Sequence, residues 1–211
     1  MQSALIIGTG GHCRVVLSLL ADTKEHDVIG FIELGIPKKN EIIMGIPVVG
    51  SDADLVSYSK HTNLDVFLAI GDNMQRSDWL KKAHILNFST PNLISPSASI
   101  HSSVQMGEAN IVCGNVFIGP ETVLTDNNLI NTAVVIEHEV KVGSNCHLAP
   151  SSTVCGRCSI NDSCFIGAGS TVINNIELAM HTKIGAGSTV IKNILEPNGT
   201  YVGLPAKKLV I

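Results

Sequence analysis

An aliphatic residue recurs at every sixth position from Ile94 to Val190, through Ile100, Met106, Val112, Ile118, Leu124, Ile130, Ile136, Val142, Leu148, Val154, Ile160, Ile166, Val172, Leu178 and Ile184. Seventeen consecutive positions obey this rule without insertion or slip, in a chain that is only 45% hydrophobic. A helix needs a period near 3.6 and a simple strand a period of 2, so neither explains the run. A period of six fits one short strand and one turn per hexad, with three hexads closing a triangular coil. Coils of this kind stack at the ordinary strand spacing of about 4.8 Å. The aliphatic column then fills the interior of a prism. A second column lies four residues on, including Val116, Thr122, Val134, Val140, Cys146, Ser152, Cys158, Cys164 and Ser170. Its members are mostly small or β-branched, as tight inner corners require. The repeats contact only their neighbours and need a cap at each end.

Residues 1–90 follow a different pattern, and residues 91–211 hold the repeat. In the first part Ala4–Ile7 is a short buried strand, Val28–Glu33 a second and Asp65–Ile70 a third. Helices are expected over Cys13–Ala21, Asp52–Lys60 and Met74–His84. Leu34–Gly45 is expected as a loop, with a turn at Pro37-Lys38-Lys39-Asn40. Alternating strands and helices of this length describe a small parallel, Rossmann-like α/β sheet. The fold class is therefore an α/β domain followed by an all-β parallel helix of hexapeptide repeats.

Strand one runs into Gly8-Thr9-Gly10-Gly11-His12 and then a helix, a place where backbone N–H groups can face a phosphate. The third glycine of the dinucleotide fingerprint is replaced by Cys13. Glu33 ends the second strand, where an acidic side chain can hold a ribose hydroxyl. These residues leave open a nucleotide site or a structural turn. His138 falls between the inward positions Ile136 and Val140, so it projects from the prism surface, and Glu139 follows it. His147 lies nine residues further on, half of an 18-residue coil, so it belongs to a different face.

Other properties narrow the partners. A formal charge of −4 gives no reason to expect nucleic acid. No run reaches the roughly 18 apolar residues of a membrane span. The start at Met1-Gln2-Ser3-Ala4 lacks a signal peptide's basic and apolar regions, which makes the cytoplasm the expected location and reduced thiols the expected state of the cysteines. Cys146, Cys158 and Cys164 stand in the small inward column and are expected as core. The histidine spacings offer no convergent trio, so no metal is expected.

Four strings carry a family resemblance across nearly the whole chain. They are Gly8-Thr9-Gly10-Gly11-His12, Ala69-Ile70-Gly71-Asp72-Asn73, Asn131-Thr132 with Ile136-Glu137-His138-Glu139, and Tyr201-Val202-Gly203-Leu204-Pro205-Ala206-Lys207. Together they resemble the hexapeptide-repeat sugar acetyltransferases of bacillosamine and sialic acid biosynthesis. The resemblance implies a left-handed β-helix, a homotrimer, and acetyl-CoA bound between neighbouring prisms. It implies His138 as general base, made more basic by Glu139. It further implies that His147, Ala168 and Ala186 touch acetyl-CoA, and that Gly10, Gly11, His12, Glu33, Leu34 and Gly71 touch a nucleotide-linked amino sugar. The family usually has two successive aspartates where this chain has Glu33 and Leu34.

The reading that follows is acetyl transfer from acetyl-CoA to the amine of a UDP-linked 4-amino-4,6-dideoxy sugar. O-acetylation of sialic acid or a related sugar is the alternative within the same machinery. A non-catalytic nucleotide-binding β-helix is the alternative from another class, and the His138-Glu139 pair argues against it. A nicotinamide-dependent enzyme is disfavoured by the missing glycine.

Overall fold

A computed structural model describes residues 1–35, 41–60 and 63–210. The chain divides into two compact units, Met1–Ile94 and Ser95–Ile211.

The first unit contains β1 (Gln2–Ile7), α1 (Gly11–Thr23), β2 (His26–Glu33), β3 (Ile42–Ile43), β4 (Ile46–Ser51), α2 (Leu55–Tyr58), β5 (Leu64–Leu68) and α3 (Asn73–Ile85). The sheet order is β3-β4-β2-β1-β5. β4, β2, β1 and β5 are mutually parallel, and β3 pairs antiparallel with β4. Ala4, Leu5, Ile6 and Ile7 are all 0% exposed, as expected of a central parallel strand covered on both faces. This is the small parallel α/β sheet that the alternating pattern indicates.

Two local expectations differ from the structure. The helix expected over Asp52–Lys60 is a single turn, α2. The Ser57 and Ser59 hydroxyls donate to the carbonyls of Asp54 and Val56, and the Asp54 carboxylate accepts from the Ser51 N–H and hydroxyl. Such side-chain bonds compete with helix propagation, and only Leu55 of the turn is buried. The expected loop Leu34–Gly45 includes β3, which turns into β4 through Met44 and Gly45 at φ 49° and 86°. Two successive positive φ values are what a two-residue hairpin needs. The turn expected at residues 37–40 lies outside the described residues.

The second unit is a left-handed parallel β-helix. Its two-residue strands fall on three faces. The first carries Phe117–Ile118, Val135–Ile136, Thr153–Val154 and Thr171–Val172; the second Val123–Leu124, Lys141–Val142 and Ser159–Ile160; the third Leu129–Ile130, His147–Leu148 and Phe165–Ile166. Each strand pairs with residues 18 positions on, such as Ile136 with Val154 and Leu148 with Ile166. The second residue of each strand points inward, and Ile118, Ile130, Ile136, Leu148, Val154, Ile166 and Val172 are at most 0% exposed. The small column is inward too. Cys146, Cys158 and Cys164 are buried, free thiols, and their sulfurs face carbonyls of the next coil. The Thr122 and Ser170 hydroxyls donate to the carbonyls of Glu137 and Gly185 in the same way, at 2.9 and 2.7 Å. For Thr122 and Ser170 the carbonyl at this offset offsets the cost of burying a hydroxyl.

Most turns place a non-glycine residue in the left-handed region, among them Glu121, Glu139, Asn145, Ser151 and Arg157, at φ 58–62°. Such residues are uncommon outside glycine. Here the N–H groups find acceptors one coil back: Glu139 N–H donates to Pro120 O and Ser151 N–H to Thr132 O, each at 2.9 Å, and Glu121 N–H donates to Ser103 Oγ at 2.9 Å. The C-terminal motif ends the stack: Thr200–Val202 joins the ladder beside Lys183–Ile184 and then pairs antiparallel with Lys207–Lys208.

Ile160 is 1% exposed in the prism interior. Ile160→Ala is expected to cost about 2–5 kcal/mol in urea unfolding, through lost transfer energy and a cavity the stacked coils cannot close. Glu177→Ala, an outward strand position, should stay within about 0.5 kcal/mol. Equal effects of the two would contradict the inward–outward assignment.

Candidate active site

His138 sits in the turn that leaves the first face after Ile136 and enters the second at Lys141. Its side chain is 48% exposed. The next residue, Glu139, takes the left-handed conformation (φ 58°). That reversal brings its carboxylate to His138: the Nδ1–Oε2 distance is 2.9 Å. The same oxygen accepts from Arg157 Nε at 2.9 Å. The His138 contact first, and the Arg157 contact second, hold the Glu139 carboxyl below the usual carboxylate range. An ionised carboxylate only accepts hydrogen bonds, so in the neutral form of the ring Nδ1 is the donor and Nε2 the acceptor.

The imidazole lies against Gly156 of the next coil. A Cβ built on Gly156 would stand 2.6 Å from both Cε1 and Nε2 of His138. Glycine at that position is required by the ring's place, and its φ is not in the left-handed region.

His147 and Ala168 belong to the third face and the corner that follows it, and Ala186 stacks one coil beyond Ala168. The His147 ring packs edge-on against Phe165, with centroids 5.1 Å apart, and its Nε2 is 3.5 Å from Asn131 Nδ2. Ala168 and Ala186 are exposed, each flanked by glycines at a corner free of side-chain bulk. The structure brings these three to one edge of the prism and places His138 at a different corner.

In the first unit the glycine loop caps α1. Gly10 is the N-cap, with no side-chain cap, and a Cβ on Gly10 or Gly11 would meet nothing within 4 Å. The helix N-terminus is thus open to an anion. Gly8 is pressed against the chain after β5; a Cβ there would come 2.9 Å from Ala69 O. Glu33 is turned back onto the loop: it accepts from the Thr9 hydroxyl, and its Oε1 accepts from Leu34 N–H at 2.7 Å. His12 is lowered to about 4 by burial first and by the Arg76 guanidinium second, so it is neutral near pH 7. Arg76, 1% exposed, donates to Ile70 O at 3.1 Å and Asn73 Oδ1 at 3.0 Å. It gathers the Ala69–Asn73 string, in which Asp72 also caps α3 by accepting from Gln75 N–H at 2.8 Å. Gly10, Gly11, His12, Glu33, Leu34 and Gly71 all stand at the carboxyl ends of β1, β2 and β5, where open α/β sheets bind ligands.

The sequence reading passed over Thr9, Arg76, Gly156 and Arg157. The last two had a signal, since they stand 18 residues after His138 and Glu139, the length of one coil. Among the described residues no group of three or more His, Cys, Asp or Glu could hold a metal ion. Nor is any described helix long and apolar enough to cross a membrane.

Residues 3–83 match the PglD N-terminal domain family. A solved structure of a GDP-perosamine N-acetyltransferase variant from Caulobacter crescentus, in complex with CoA and GDP-perosamine, is 33% identical with a TM-score of 0.94, over 100% of this chain and 98% of that one. PerB from the same organism, with the same two ligands, is 34% identical with a TM-score of 0.92, over 100% and 98% of the respective chains. The acetyltransferase domain of PglB from Neisseria gonorrhoeae is 26% identical with a TM-score of 0.91, over 99% and 100%. No match was found among curated proteins. The chain belongs to the hexapeptide-repeat sugar acetyltransferase family.

Two outcomes follow from this geometry. Gly156→Ala should leave the unfolding midpoint nearly unchanged and lower turnover at least about 10-fold, because the methyl group displaces the His138 ring and small misplacements are costly. Wild-type turnover in this variant would show that the ring's seat is unimportant. Between pH 6.5 and 4 the unfolded chain protonates His12 while the folded chain does not, so stability falls as pH drops through that window. His12→Gln should flatten this fall by at most about 3 kcal/mol, measured by urea unfolding at pH 7.5 and pH 4.5. Parallel losses in both proteins would contradict the depressed titration.

Proposed function

We propose that this chain is an acetyl-CoA-dependent N-acetyltransferase that acts on a nucleotide-linked 4-amino-4,6-dideoxy sugar, with His138 as general base. The observation that carries the reading is the His138–Glu139 pair, in which the Glu139 carboxylate engages Nδ1 and leaves Nε2 as the ring nitrogen available to a substrate at a prism corner of a sugar acetyltransferase. Two relatives that are histidine variants were crystallised with CoA and GDP-perosamine together, which agrees with a histidine needed for turnover rather than for binding.

The amine nitrogen attacks the thioester carbonyl of acetyl-CoA and gives a tetrahedral intermediate. His138 Nε2 takes the proton that the nitrogen sheds. Glu139 stabilises the resulting imidazolium through Nδ1. Collapse breaks the C–S bond, the departing thiolate receives the proton from His138, and the products are the amide and free CoA.

The amino-terminal unit supplies the nucleotide contacts, with the diphosphate at the open N-terminus of α1. His147, Ala168 and Ala186 form the edge that meets acetyl-CoA. Because that edge and the His138 corner differ on one prism, we place the complete site between neighbouring prisms of a homotrimer. Light scattering should give three chains per particle. The cytoplasm, where acetyl-CoA and nucleotide sugars are made, is the compartment this chemistry requires.

The nucleotide expected from the sequence is UDP. The GDP-perosamine relatives favour GDP as a second reading. Competition against the sugar substrate separates the two: whichever of UDP and GDP inhibits more strongly names the handle, and inhibition by neither would contradict a nucleotide-linked acceptor. His138→Ala is expected to lose at least about 100-fold in kcat with its fold intact. Turnover within a few-fold of wild type would remove His138 as the base.

A further inference from the structure

We infer that Arg157 is a positioning residue for the His138–Glu139 pair, pinning the carboxylate and opposing its charge. This rests on the reading of His138 as the general base.

The juxtaposition has two links. Arg157 Nε donates to the same Glu139 Oε2 that meets His138 Nδ1, each at 2.9 Å. The Arg157 backbone N–H also donates to the His138 carbonyl at 3.0 Å. Arg157 repeats the left-handed turn conformation of Glu139 one coil further along (φ 60°), and the coil register therefore carries its side chain back to the carboxylate. Arg157 and Glu139 are 63% and 40% exposed. Exposed ion pairs contribute little to stability, so the consequence of this one lies in geometry and local field. Without it the carboxylate is free to swing between solvent and the ring.

The charged and titratable groups around the turn are Glu121 on the coil before, Glu137 and Glu139 on the turn itself, Lys141 on the strand it enters, and Cys155 and Arg157 on the coil after. Arg157 is the cation of this set that bonds the Glu139 carboxylate. Its removal favours the protonated imidazole, whereas removal of the Glu139 charge disfavours it. The two substitutions are therefore expected to move the acid limb of the pH–rate profile in opposite directions.

The test uses Arg157→Gln, Arg157→Lys and Glu139→Gln in the full chain, with kcat/KM measured from pH 5 to 9. Arg157→Gln should shift the acid limb up by about 0.3–0.7 pH units and lower kcat several-fold. Glu139→Gln should shift the limb down. Arg157→Lys should restore the limb and only part of kcat, because a lysine keeps the charge without the guanidinium geometry. The KM values for both substrates should stay within about twofold. A second readout does not depend on turnover: nitrogen chemical shifts of the His138 ring at pH 8 should report protonated Nδ1 in wild type and a tautomer mixture in Arg157→Gln. An unmoved limb with unchanged ring shifts would overturn the proposal. So would a large rise in KM with an unmoved limb, which would assign Arg157 to a ligand. If His138→Ala stayed active the base assignment would fail, and the ring shifts would still decide whether Arg157 positions the imidazole.

Discussion

The in-register pairing of each coil with the residues 18 positions on is the constraint from which the prism and its His138 corner follow. Parallel ladders on three faces fix the twist and depth of every coil, and they leave each corner the same small space. A corner must reverse the chain in one residue, so it uses the left-handed region, and the N–H of that residue is satisfied one coil back. At most corners this produces an inert surface side chain. At Glu139 the same reversal folds a carboxylate onto the imidazole of the preceding residue. At Arg157 it returns a guanidinium to that carboxylate. The His138–Glu139–Arg157 cluster is thus the ordinary corner of this fold with three particular side chains installed.

The seating of the ring shows how tightly sequence and packing are joined. Gly156 does not need a glycine conformation; it needs the absence of a Cβ, because the ring of His138 occupies that place. Gly107 and Gly143 serve Asp126 and Asp162 in the same way, since their would-be Cβ atoms would clash with carboxylate oxygens. In those corners the carboxylates accept backbone N–H groups of Glu108 and Ser144 at 2.9 and 2.8 Å. Two structural corners are thus built by the method that seats the imidazole.

The six-residue column made the prism legible, because an inward aliphatic residue at a fixed period is a direct consequence of the stacked coils. The His138-Glu139 string was singled out through family resemblance, and the outward place of His138 was legible through its offset from Ile136. What escaped did so for physical reasons. Gly156 and Arg157 are 18 residues from their partners, so their contact exists only once coils are stacked. Arg76 is a charged residue in a polar helix, and its burial comes with carbonyls at the sheet end that no periodicity announces. Ser57 and Ser59 shortened α2 by bonding to nearby carbonyls, a competition that a helix pattern does not display. The β3–β4 hairpin was hidden because Met44-Gly45 is not a common turn pair, although both residues take positive φ.

The most direct measurement is identification of the product formed from acetyl-CoA and a UDP- or GDP-linked 4-amino-4,6-dideoxy sugar. The account predicts one acetyl group per sugar, joined to nitrogen as a hydroxylamine-resistant amide, with one free CoA thiol released for each. It predicts no comparable reaction with the free sugar, since the diphosphate supplies the remote binding energy that positions the amine. A hydroxylamine-labile ester as the product, or efficient acetylation of free sialic acid, would contradict it.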